Sequence, residues 1–263
     1  MRTALVITTY ERPEALAAVL SSVQRQTQPP AELVIADDGS GMSTGALLAA
    51  YRHPSATVRV VSQPHQGFRL TRLRNLAIAA TTADYVICID GDMLLHPAFI
   101  ADHIRLARRR TFTQGVRVLA DAALTRRLLA DPAMRVGARA AGTGGLRRLY
   151  LLHSPAASTL TRRLANGFIA IKGCNQAFWR DDLLRVNGFN EAIEGWGPED
   201  KELAARLTFA GVGRQTLLFG GIAVHLRHAP ATRDALPANL AVLETTLRDR
   251  RMRCERGLDS HLR

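Results

Sequence analysis

Residues 84–92 read DYVICIDGD, an apolar run that ends abruptly in two carboxylates separated by one glycine. Residues 84–89 have the length and the β-branched content of a buried strand, and the sequence after them is typical of a turn. Three similar runs precede it: TALVIT at 3–8, ELVIA at 32–36 and TVRVV at 57–61. Helical spacing between these runs predicts helices, one starting at Pro13 and another over 69–80. The alternation predicts an α/β fold with a mostly parallel central sheet and helices on both faces.

Polar residues cluster directly after three of the predicted strands. They are Thr9 to Arg12, Asp37 with Asp38, and Asp90 to Asp92. In an open parallel sheet, ligands bind beyond the carboxyl ends of the strands, and all three clusters fall there. Packing alone does not explain such a pattern, so the sequence predicts a ligand site at this edge of the sheet.

The loop after the first strand excludes the dinucleotide-binding motif. That motif requires G-x-G-x-x-G at this point, whereas residues 8–13 read TTYERP. A diphosphate would then be held in another way, and a divalent metal is the natural candidate. Asp90 and Asp92 offer the carboxylate oxygens that Mg²⁺ and Mn²⁺ prefer. The simpler interpretation of these two residues is a turn with solvated acids.

Composition restricts the class of protein further. The 263 residues are 47% hydrophobic and 22% charged, which excludes global disorder and allows one large domain or two small ones. The three cysteines are too few and too scattered for a disulfide framework or a zinc motif, so we expect reduced thiols. The sequence shows neither a signal peptide nor an apolar run of the roughly 18 residues that a membrane span requires. These features predict a cytoplasmic protein.

The formal net charge of +12 is concentrated in one segment. Residues 1–100 have a net charge of zero, residues 101–165 have +10 and residues 166–263 have +2. Nucleic acid, an anionic membrane surface or a phosphorylated ligand could each match this charge. A nucleic-acid-binding protein is therefore an alternative, but the chain is only 5% aromatic and shows no RNA- or DNA-binding motif.

Seven motifs occur in an order that matches a known family. They are TTYERP at 8–13, ADDGS at 36–40, HQGFRLTRLRNLAI at 65–78, IDGDM at 89–93, KGCNQAFWRDDLLRVNGFNE at 172–191, GWGPEDKELAARL at 195–207 and HLRH at 225–228. On these motifs the chain resembles a family 2 glycosyltransferase of the GT-A fold, a Rossmann-like fold for nucleotide-diphosphate sugars. The GWGPED block also resembles a region of chondroitin polymerases and β-1,4-galactosyltransferases.

The resemblance assigns the polar residues of the first half to the nucleotide-sugar donor. A carboxylate such as that of Asp38 accepts hydrogen bonds from a base or a ribose, and one of Asp37 and Asp38 could serve only the turn. The donor-binding residues that the resemblance implies are Thr8, Thr9, Tyr10, Glu11, Arg12, Asp37, Asp38, Gly67, Arg74, Asn75, Asp90 and Gly91.

The resemblance also implies a metal site and a catalytic base. Asp92 would bind Mn²⁺ or Mg²⁺ together with His225 and His228. Glu199 and Asp200 open a predicted helix, whose dipole favours ionised carboxylates at that end. By the resemblance, Asp200 is the base and Glu199 binds a sugar. The residues expected at the acceptor or the transferred sugar are Gly173, Asn175, Trp196, Gly197 and Glu199.

Together these assignments predict an inverting, metal-dependent glycosyltransferase. It would move a sugar from a nucleotide diphosphate, expected to be UDP, to a hydroxyl of a glycan, a lipid-linked or another acceptor. Synthesis of surface polysaccharide or lipopolysaccharide is the expected setting. The DGD pair would also suit a metal-dependent phosphohydrolase or nucleotidyltransferase, and the motifs as a set would suit a sugar-binding relative without catalysis.

The same interpretation divides the chain into parts. Residues 1–232 would form one GT-A domain, with a nucleotide-sugar half (1–100), a basic variable segment (101–165) and an acceptor and catalytic half (166–232). Residues 233–263 would be a basic helical extension. The further elements expected are helices at 97–109, 121–130 and 238–256, a strand at 112–118, and a strand with a loop at 166–180. We expect the basic segments to face an anionic acceptor or the inner membrane surface as a peripheral contact.

Overall fold

The computed structural model describes residues 1–143, 146–162 and 171–262, and of residues 146 and 147 only the backbone. The strands within these ranges are β1 (Thr3–Thr9), β2 (Glu32–Asp37), β3 (Thr57–Ser62), β4 (Tyr85–Asp90), β5 (Met93–Leu95), β6 (Thr111–Gly115), β7 (Val118–Leu119), β8 (Asn175–Trp179), β9 (Gly213–Leu217) and β10 (Ala223–His225). The α-helices are α1 (Pro13–Gln24), α2 (Met42–Ala50), α3 (Leu70–Ala79), α4 (Phe99–Leu106), α5 (Ala122–Ala130), α6 (Pro155–Thr161), α7 (Arg180–Val186), α8 (Glu199–Phe209) and α9 (Leu236–Arg248).

Seven strands form the central sheet, in the order β3-β2-β1-β4-β8-β6-β9. The strands β1 to β4 pair in parallel, as do β6 and β9, whereas β8 runs antiparallel to both of its neighbours. A second sheet of three short strands has the order β5-β10-β7. The predicted α/β fold with a mostly parallel sheet is therefore confirmed.

The strands of the central sheet are buried on both faces, which explains why their sequences are continuous apolar runs. Leu5 and Ile7 of β1 belong to a core shared with α1 and α4, whereas Val6 belongs to a core shared with α3 and α8. Successive side chains of a strand point to opposite faces, so one run of residues serves both layers. The prediction of helices on both faces is confirmed by these two cores.

The parallel register brings the predicted polar clusters to one edge of the sheet. Thr8 of β1 is paired with Asp90 of β4, and Thr9 is paired with Asp37 of β2. The carboxyl ends of the three strands therefore lie side by side. The second sheet adds its residues at this same edge, because β5 begins directly after Asp92.

Several predicted boundaries in the basic segment were wrong. The helix expected at 97–109 is α4 and stops at Leu106, before Arg110 adopts a left-handed φ of 59°. The strand expected at 112–118 is divided into β6 and β7, and between them the carbonyl oxygen of Val116 accepts a hydrogen bond from the Asn175 side chain. Residues 144–145 and 163–170, which include part of the strand and loop predicted at 166–180, lie outside the described residues.

The C-terminal part of the chain packs on α8 and on the core beneath the central sheet. The helix expected at 238–256 is α9, which ends at Arg248 and packs on α8. Thr246 of α9 donates a hydrogen bond to the buried carboxylate of Glu202 at 3.0 Å. Beyond the helix, Leu258 is fully buried in the core that contains α3 and α7. In the described part of the chain, no helix is long and apolar enough to cross a membrane.

We expect the C-terminal segment to contribute directly to the stability of the domain. Replacing Leu258, which is 0% exposed, with alanine should lower the free energy of unfolding by about 2–5 kcal/mol, the usual cost of a large-to-small core substitution. Urea titration followed by circular dichroism measures this loss. Leu262→Ala is the matched control, because Leu262 is 38% exposed and its truncation should cost little. Equal stability of the two variants would show that the tail is not part of the core.

Candidate active site

The turn after β4 is held tightly against the end of β1. The Gly91 N–H donates to the carbonyl oxygen of Thr8 at 2.7 Å, and the Thr8 hydroxyl lies 3.4 Å from an Asp90 carboxylate oxygen. A Cβ atom on Gly91 would lie 2.9 Å from that carbonyl oxygen and 3.1 Å from the Thr9 side chain. Glycine is thus required between the two aspartates because the two strand ends approach so closely.

Two aromatic rings stack beside the end of β1. Tyr10 and His65 have ring centroids 4.1 Å apart and planes inclined by 10°. His65 Nδ1 lies 2.9 Å from one oxygen of Asp38, and Gln63 donates to the other oxygen at 2.5 Å. A carboxylate next to a flat ring offers both a hydrogen-bond acceptor and a stacking surface. His65 belongs to one of the quoted motifs and Gln63 to none, and neither was among the predicted site residues.

Asp37 and Glu11 hold the loop that carries Asp38. The carboxylate of Asp37 accepts hydrogen bonds from the N–H and the hydroxyl of Ser40, and Glu11 accepts from the N–H of Gly41 at 2.6 Å. One of the two aspartates was expected to serve only the turn, and these hydrogen bonds give that role to Asp37. Gly67 has a left-handed φ of 74° and open space around its Cβ position. A glycine is therefore favoured here by the backbone conformation and not by crowding.

Asp92 lies close to two histidines delivered by the second sheet. His225 ends β10, which pairs antiparallel with β5, and this register places its ring near the start of β5. The Nε2 atoms of His225 and His228 lie 3.5 and 3.3 Å from the Asp92 carboxylate, and the three ligand atoms lie within 4.8 Å of one another. Arg12 also donates to Asp92 at 2.6 Å. The residues predicted as metal ligands therefore converge in space.

The chemistry of these three side chains fits a divalent metal. One oxygen of Asp92 is buried and has no hydrogen-bond partner, which leaves a lone pair for a ligand. Burial, with the charge of Asp90, raises the pKa of Asp92 to about 6, and a cation would relieve this unfavourable charge. Burial, with the charge of Arg117, lowers the pKa of His225 to about 4, so its imidazole is neutral at pH 7. Neutral imidazole and carboxylate are suitable ligands for Mn²⁺.

Arg117 is a third residue that the sequence did not assign to the site, after His65 and Gln63. Its guanidinium lies 3.3 Å from the Cys174 sulfur and close enough to Asp92 and His225 to affect the pKa of each. Arg117 is one of many arginines in the basic segment, so the sequence alone does not indicate that it lies at the site.

Two carboxylates lie at the start of α8. Glu199 accepts a hydrogen bond from Arg74 at 3.2 Å, and Asp200 accepts one from the Lys201 N–H at 2.7 Å. Burial, with the charge of Asp200, raises the pKa of Glu199 to about 7, and burial raises the pKa of Asp200 as well. Arg74 also donates to Asp90 at 3.0 Å, so this carboxylate pair is connected to the end of β4.

The expected sugar-binding loop is supported by the C-terminal helix. Asn239 of α9 donates to the carbonyl oxygens of Glu194 and Trp196, and a Cβ atom on Gly197 would lie 2.6 Å from its amide nitrogen. The Trp196 side chain is 39% exposed, with the Arg233 guanidinium 4.8 Å from its ring centroid. An exposed indole on a loop that is held by these hydrogen bonds can pack against a sugar ring.

Two asparagines predicted to bind ligands have structural roles instead. Asn75 is 0% exposed, and its side chain bonds the backbone of Phe189 and the carboxylate of Glu191. Asn175 is also 0% exposed and bonds His103 and the backbone around it. The prediction of ligand contact is corrected for both, because neither side chain reaches the surface of the site.

The basic segment is divided between the two edges of the sheet. The carbonyl oxygen of Arg108 accepts a hydrogen bond from the Trp179 indole N–H, and Trp179 is paired with Tyr85 at the beginning of β4. Arg108 and the two arginines after it therefore lie at the edge opposite to Asp92. The expectation that these arginines face the acceptor is corrected by this placement, whereas Arg117 does lie at the site.

The fold places the candidate site at the carboxyl ends of its parallel strands, where open α/β sheets bind their ligands. The model of glycosyl transferase family 2 matches residues 4–171, and that of the N-terminal domain of galactosyltransferase matches residues 162–229. The chain belongs to glycosyl transferase family 2 and is a glycosyltransferase of the GT-A fold.

The relatives in sequence are longer than this chain. Chondroitin synthase of Escherichia coli is 26% identical over 219 residues, covering 77% of this chain and 32% of the relative. Hyaluronan synthase of Pasteurella multocida is 26% identical over 220 residues, covering 77% and 22%. Validoxylamine A glucosyltransferase of Streptomyces hygroscopicus subsp. limoneus is 26% identical over 222 residues, covering 79% and 48%. The chain thus spans less than half the length of each.

Solved structures share the fold at low sequence identity. Residues 1–349 of S. aureus TarS in complex with UDP superpose with a TM-score of 0.66 at 12% identity, covering 99% of this chain and 68% of that one. The mannosyltransferase PcManGT from Pyrobaculum calidifontis, in complex with GDP-Man and Mn²⁺, gives a TM-score of 0.59 at 18% identity, covering 94% and 69%.

Proposed function

We propose that this chain catalyses metal-dependent, inverting transfer of a sugar from a UDP-sugar to an acceptor hydroxyl. The observation that carries the proposal is the convergence of two groups at one edge of the sheet. Asp92, His225 and His228 form one group. The pair formed by Glu199 and Asp200 is the other, and Arg74 connects it to Asp90.

The first group would hold the metal and the donor diphosphate. When bound, Mn²⁺ or Mg²⁺ would neutralise negative charge on the leaving diphosphate. Arg12 and Arg117 lie beside the three ligands and add positive charge for the same phosphates. The nucleobase would stack on Tyr10 and bond to Asp38, since His65 and Gln63 fix that carboxylate in place.

The second group would act on the acceptor. Asp200 would remove the proton from the acceptor hydroxyl as its oxygen attacks the anomeric carbon on the face opposite to the diphosphate. Its raised pKa, caused by burial, makes the carboxylate a stronger base than a solvated aspartate. Glu199, bonded to Arg74, would instead orient a sugar hydroxyl beside the exposed Trp196.

We further propose that the acceptor carries an anionic group. A hollow of about 420 Å³ lies beside the metal ligands and is lined by Arg126, Arg227 and His228. The Arg227 N–H donates to the hydroxyl of Thr125, which fixes this loop to α5. Relatives named as chondroitin and hyaluronan synthases support a glycan acceptor. A lipid-linked acceptor in surface polysaccharide synthesis could present an anionic group to the same arginines.

A donor screen tests the proposed function. Thermal unfolding should be measured with UDP-, dTDP- and GDP-sugars, each with and without Mn²⁺. We expect UDP-sugars to raise the unfolding temperature only with the metal, because ligands that bind the native state stabilise it by mass action. Transfer should then require an acceptor. Donor turnover that is independent of any acceptor would indicate a phosphohydrolase instead, and stabilisation by all donors equally would contradict UDP specificity.

A further inference from the structure

Arg74 of α3 lies beneath the site and connects its two halves. It is 1% exposed, and its two terminal nitrogens donate to different elements. Nη2 lies 3.0 Å from an oxygen of Asp90, at the end of β4, and Nη1 lies 3.2 Å from an oxygen of Glu199, at the start of α8. One guanidinium thus joins Asp90, two residues before the proposed metal ligand Asp92, to the carboxylate pair at the start of α8.

The guanidinium has little freedom to move away from these carboxylates. The Phe189 ring centroid lies 5.1 Å from its central carbon. A Cβ atom on Gly173 would lie 2.9 and 3.0 Å from the two terminal nitrogens of Arg74, and 3.3 Å from Glu199. Glycine at 173 therefore has a role other than the sugar contact expected from the sequence, since it leaves room for this ion pair.

The charges around Glu199 come from several elements. Asp200 of α8 and Asp90 of β4 are negative and oppose its ionisation, whereas Arg74 of α3 favours it. Lys172, just before β8, acts on the neighbouring Asp200 in the same direction as Arg74. Without Arg74, Glu199 would lose the cation that offsets the charges of Asp200 and Asp90, and Lys172 would still act on Asp200.

We infer that Arg74 is a positioning residue, which fixes Glu199 relative to Asp90 and favours the ionised form of the carboxylate pair at the start of α8 without contacting the donor. This inference rests on the proposed function in one respect, because its effect on catalysis requires that the pair take part in transfer. It also corrects the sequence-based expectation that Arg74 contacts the donor directly, since both terminal nitrogens are directed at protein carboxylates.

The inference predicts a change in pH dependence. A cation within hydrogen-bond distance lowers a carboxyl pKa by about 1–3 units, so its removal should raise the pKa of Glu199 by a similar amount. That pKa is already raised to about 7 by burial and by Asp200. Glu199, which is partly protonated at pH 7 with Arg74 in place, would then be protonated almost fully, and the acidic limb of the transfer rate should move to higher pH by about 1–3 units.

The test compares Arg74→Gln and Arg74→Lys with the wild type. The pH profile of kcat is measured for each variant, and the carboxyl pKa of ¹³C-labelled glutamates is followed by NMR. We expect Arg74→Gln to shift both the acidic limb and the pKa upward, with little change in the dissociation constant of UDP. Arg74→Lys keeps the positive charge but cannot donate to Glu199 and Asp90 with the same geometry. We therefore expect kcat to fall, with a smaller shift of the acidic limb of the pH profile than in Arg74→Gln.

Arg206→Lys is the matched control for the loss of a buried arginine pair. Arg206 is 0% exposed and bonds both oxygens of Glu202 within α8. Its substitution should lower the unfolding temperature without moving the acidic limb. If Arg74→Gln behaves like this control, Arg74 is only structural. If the dissociation constant of UDP rises while the pH profile is unchanged, Arg74 contacts the donor and the inference is wrong.

The NMR measurement separates this inference from the proposed function. If the wild type transfers no sugar but Arg74→Gln raises a glutamate pKa, the proposed function fails and the electrostatic role of Arg74 stands. Gly173→Ala gives a second route if Arg74→Gln does not fold, because the added methyl group displaces the guanidinium with the charge retained. We expect it to lower kcat and to shift the limb in the same direction, and an unchanged profile would overturn the inference.

Discussion

Replacing Asp200 with asparagine is expected to lower the rate of sugar transfer by about 10²- to 10⁴-fold, the usual contribution of a general base. Asparagine has nearly the same shape but cannot accept the proton of the acceptor hydroxyl. The fold should tolerate the change, because Asp200 accepts backbone N–H groups of Lys201 and Gly173, and an amide oxygen accepts such bonds too. Binding of the donor nucleotide should survive, since its expected contacts lie at the ends of β1 and β2.

Two measurements and one control make this prediction specific. Initial rates at saturating donor give kcat, and isothermal titration gives the dissociation constant of UDP in the presence of Mn²⁺. Asp181→Asn is the control, because Asp181 is also an acid in the first turn of a helix but has an 82% exposed side chain. A rate near that of the wild type in Asp200→Asn, together with a large loss in Glu199→Gln, would assign the base to Glu199 instead.

The strands that carry the site were predictable because each is buried on both faces. A strand such as 84–89, covered by helices on each side, must be apolar throughout, and its end is then marked by the first charged residues. Parallel pairing then brings the polar residues together, because the carboxyl ends of parallel strands lie side by side regardless of the connecting loops. The sequence therefore predicted that Asp90 and Asp92 lie beside the end of β1, and the pairing of Asp90 with Thr8 agrees with this position.

The roles of buried polar residues could not be predicted in the same way. Asn75 and Arg74 are adjacent in sequence, and both belong to a motif associated with the donor. The structure turns Asn75 toward the backbone of Phe189 and Arg74 toward two carboxylates, contacts that depend on α7 and α8 far along the chain. A motif therefore indicated the neighbourhood of the site but not which atoms face a ligand.

The concentration of positive charge identified a basic segment, but it did not predict which arginines of that segment lie at the site. The +10 of residues 101–165 suggested one basic surface. The chain within this segment instead passes from one edge of the sheet to the other, since β6 begins near Arg108 and Arg117 follows its far end. Arginines nine positions apart are thus separated by the length of a strand, and only the later one lies at the site.

Asp92→Asn is expected to remove Mn²⁺ binding and, with it, metal-dependent binding of the donor. Loss of an outer-shell partner alone costs about 10- to 100-fold in metal affinity, so loss of a ligand should exceed that range. The amide of asparagine keeps the size of the carboxylate but not its charge. Mn²⁺ binding can be followed without any substrate by electron paramagnetic resonance, and EDTA should abolish transfer by the wild type.

Asp84→Asn is the control from the other end of the same strand. Asp84 precedes β4 and accepts a hydrogen bond from the N–H of Arg2, at the edge opposite to the site. Its substitution should leave Mn²⁺ affinity unchanged. Separate His225→Ala and His228→Ala variants then show whether both imidazoles are ligands. Transfer by the wild type that is unaffected by EDTA would contradict the metal site altogether.

The interaction of Asp92 with Arg12 allows a test of whether Asp92 is a metal ligand or only holds Arg12 in place. Because Arg12 donates to Asp92 at 2.6 Å, the loss caused by Asp92→Asn could arise from a displaced arginine and not from a missing ligand. Arg12→Gln separates the two causes, since it removes the cation and leaves the carboxylate in place. A true metal ligand should then bind Mn²⁺ at least as tightly as before, because a competing positive charge has gone. Equal loss of Mn²⁺ affinity in Arg12→Gln and Asp92→Asn would instead show that Asp92 serves to hold Arg12, and the phosphates would have to be neutralised by arginines alone.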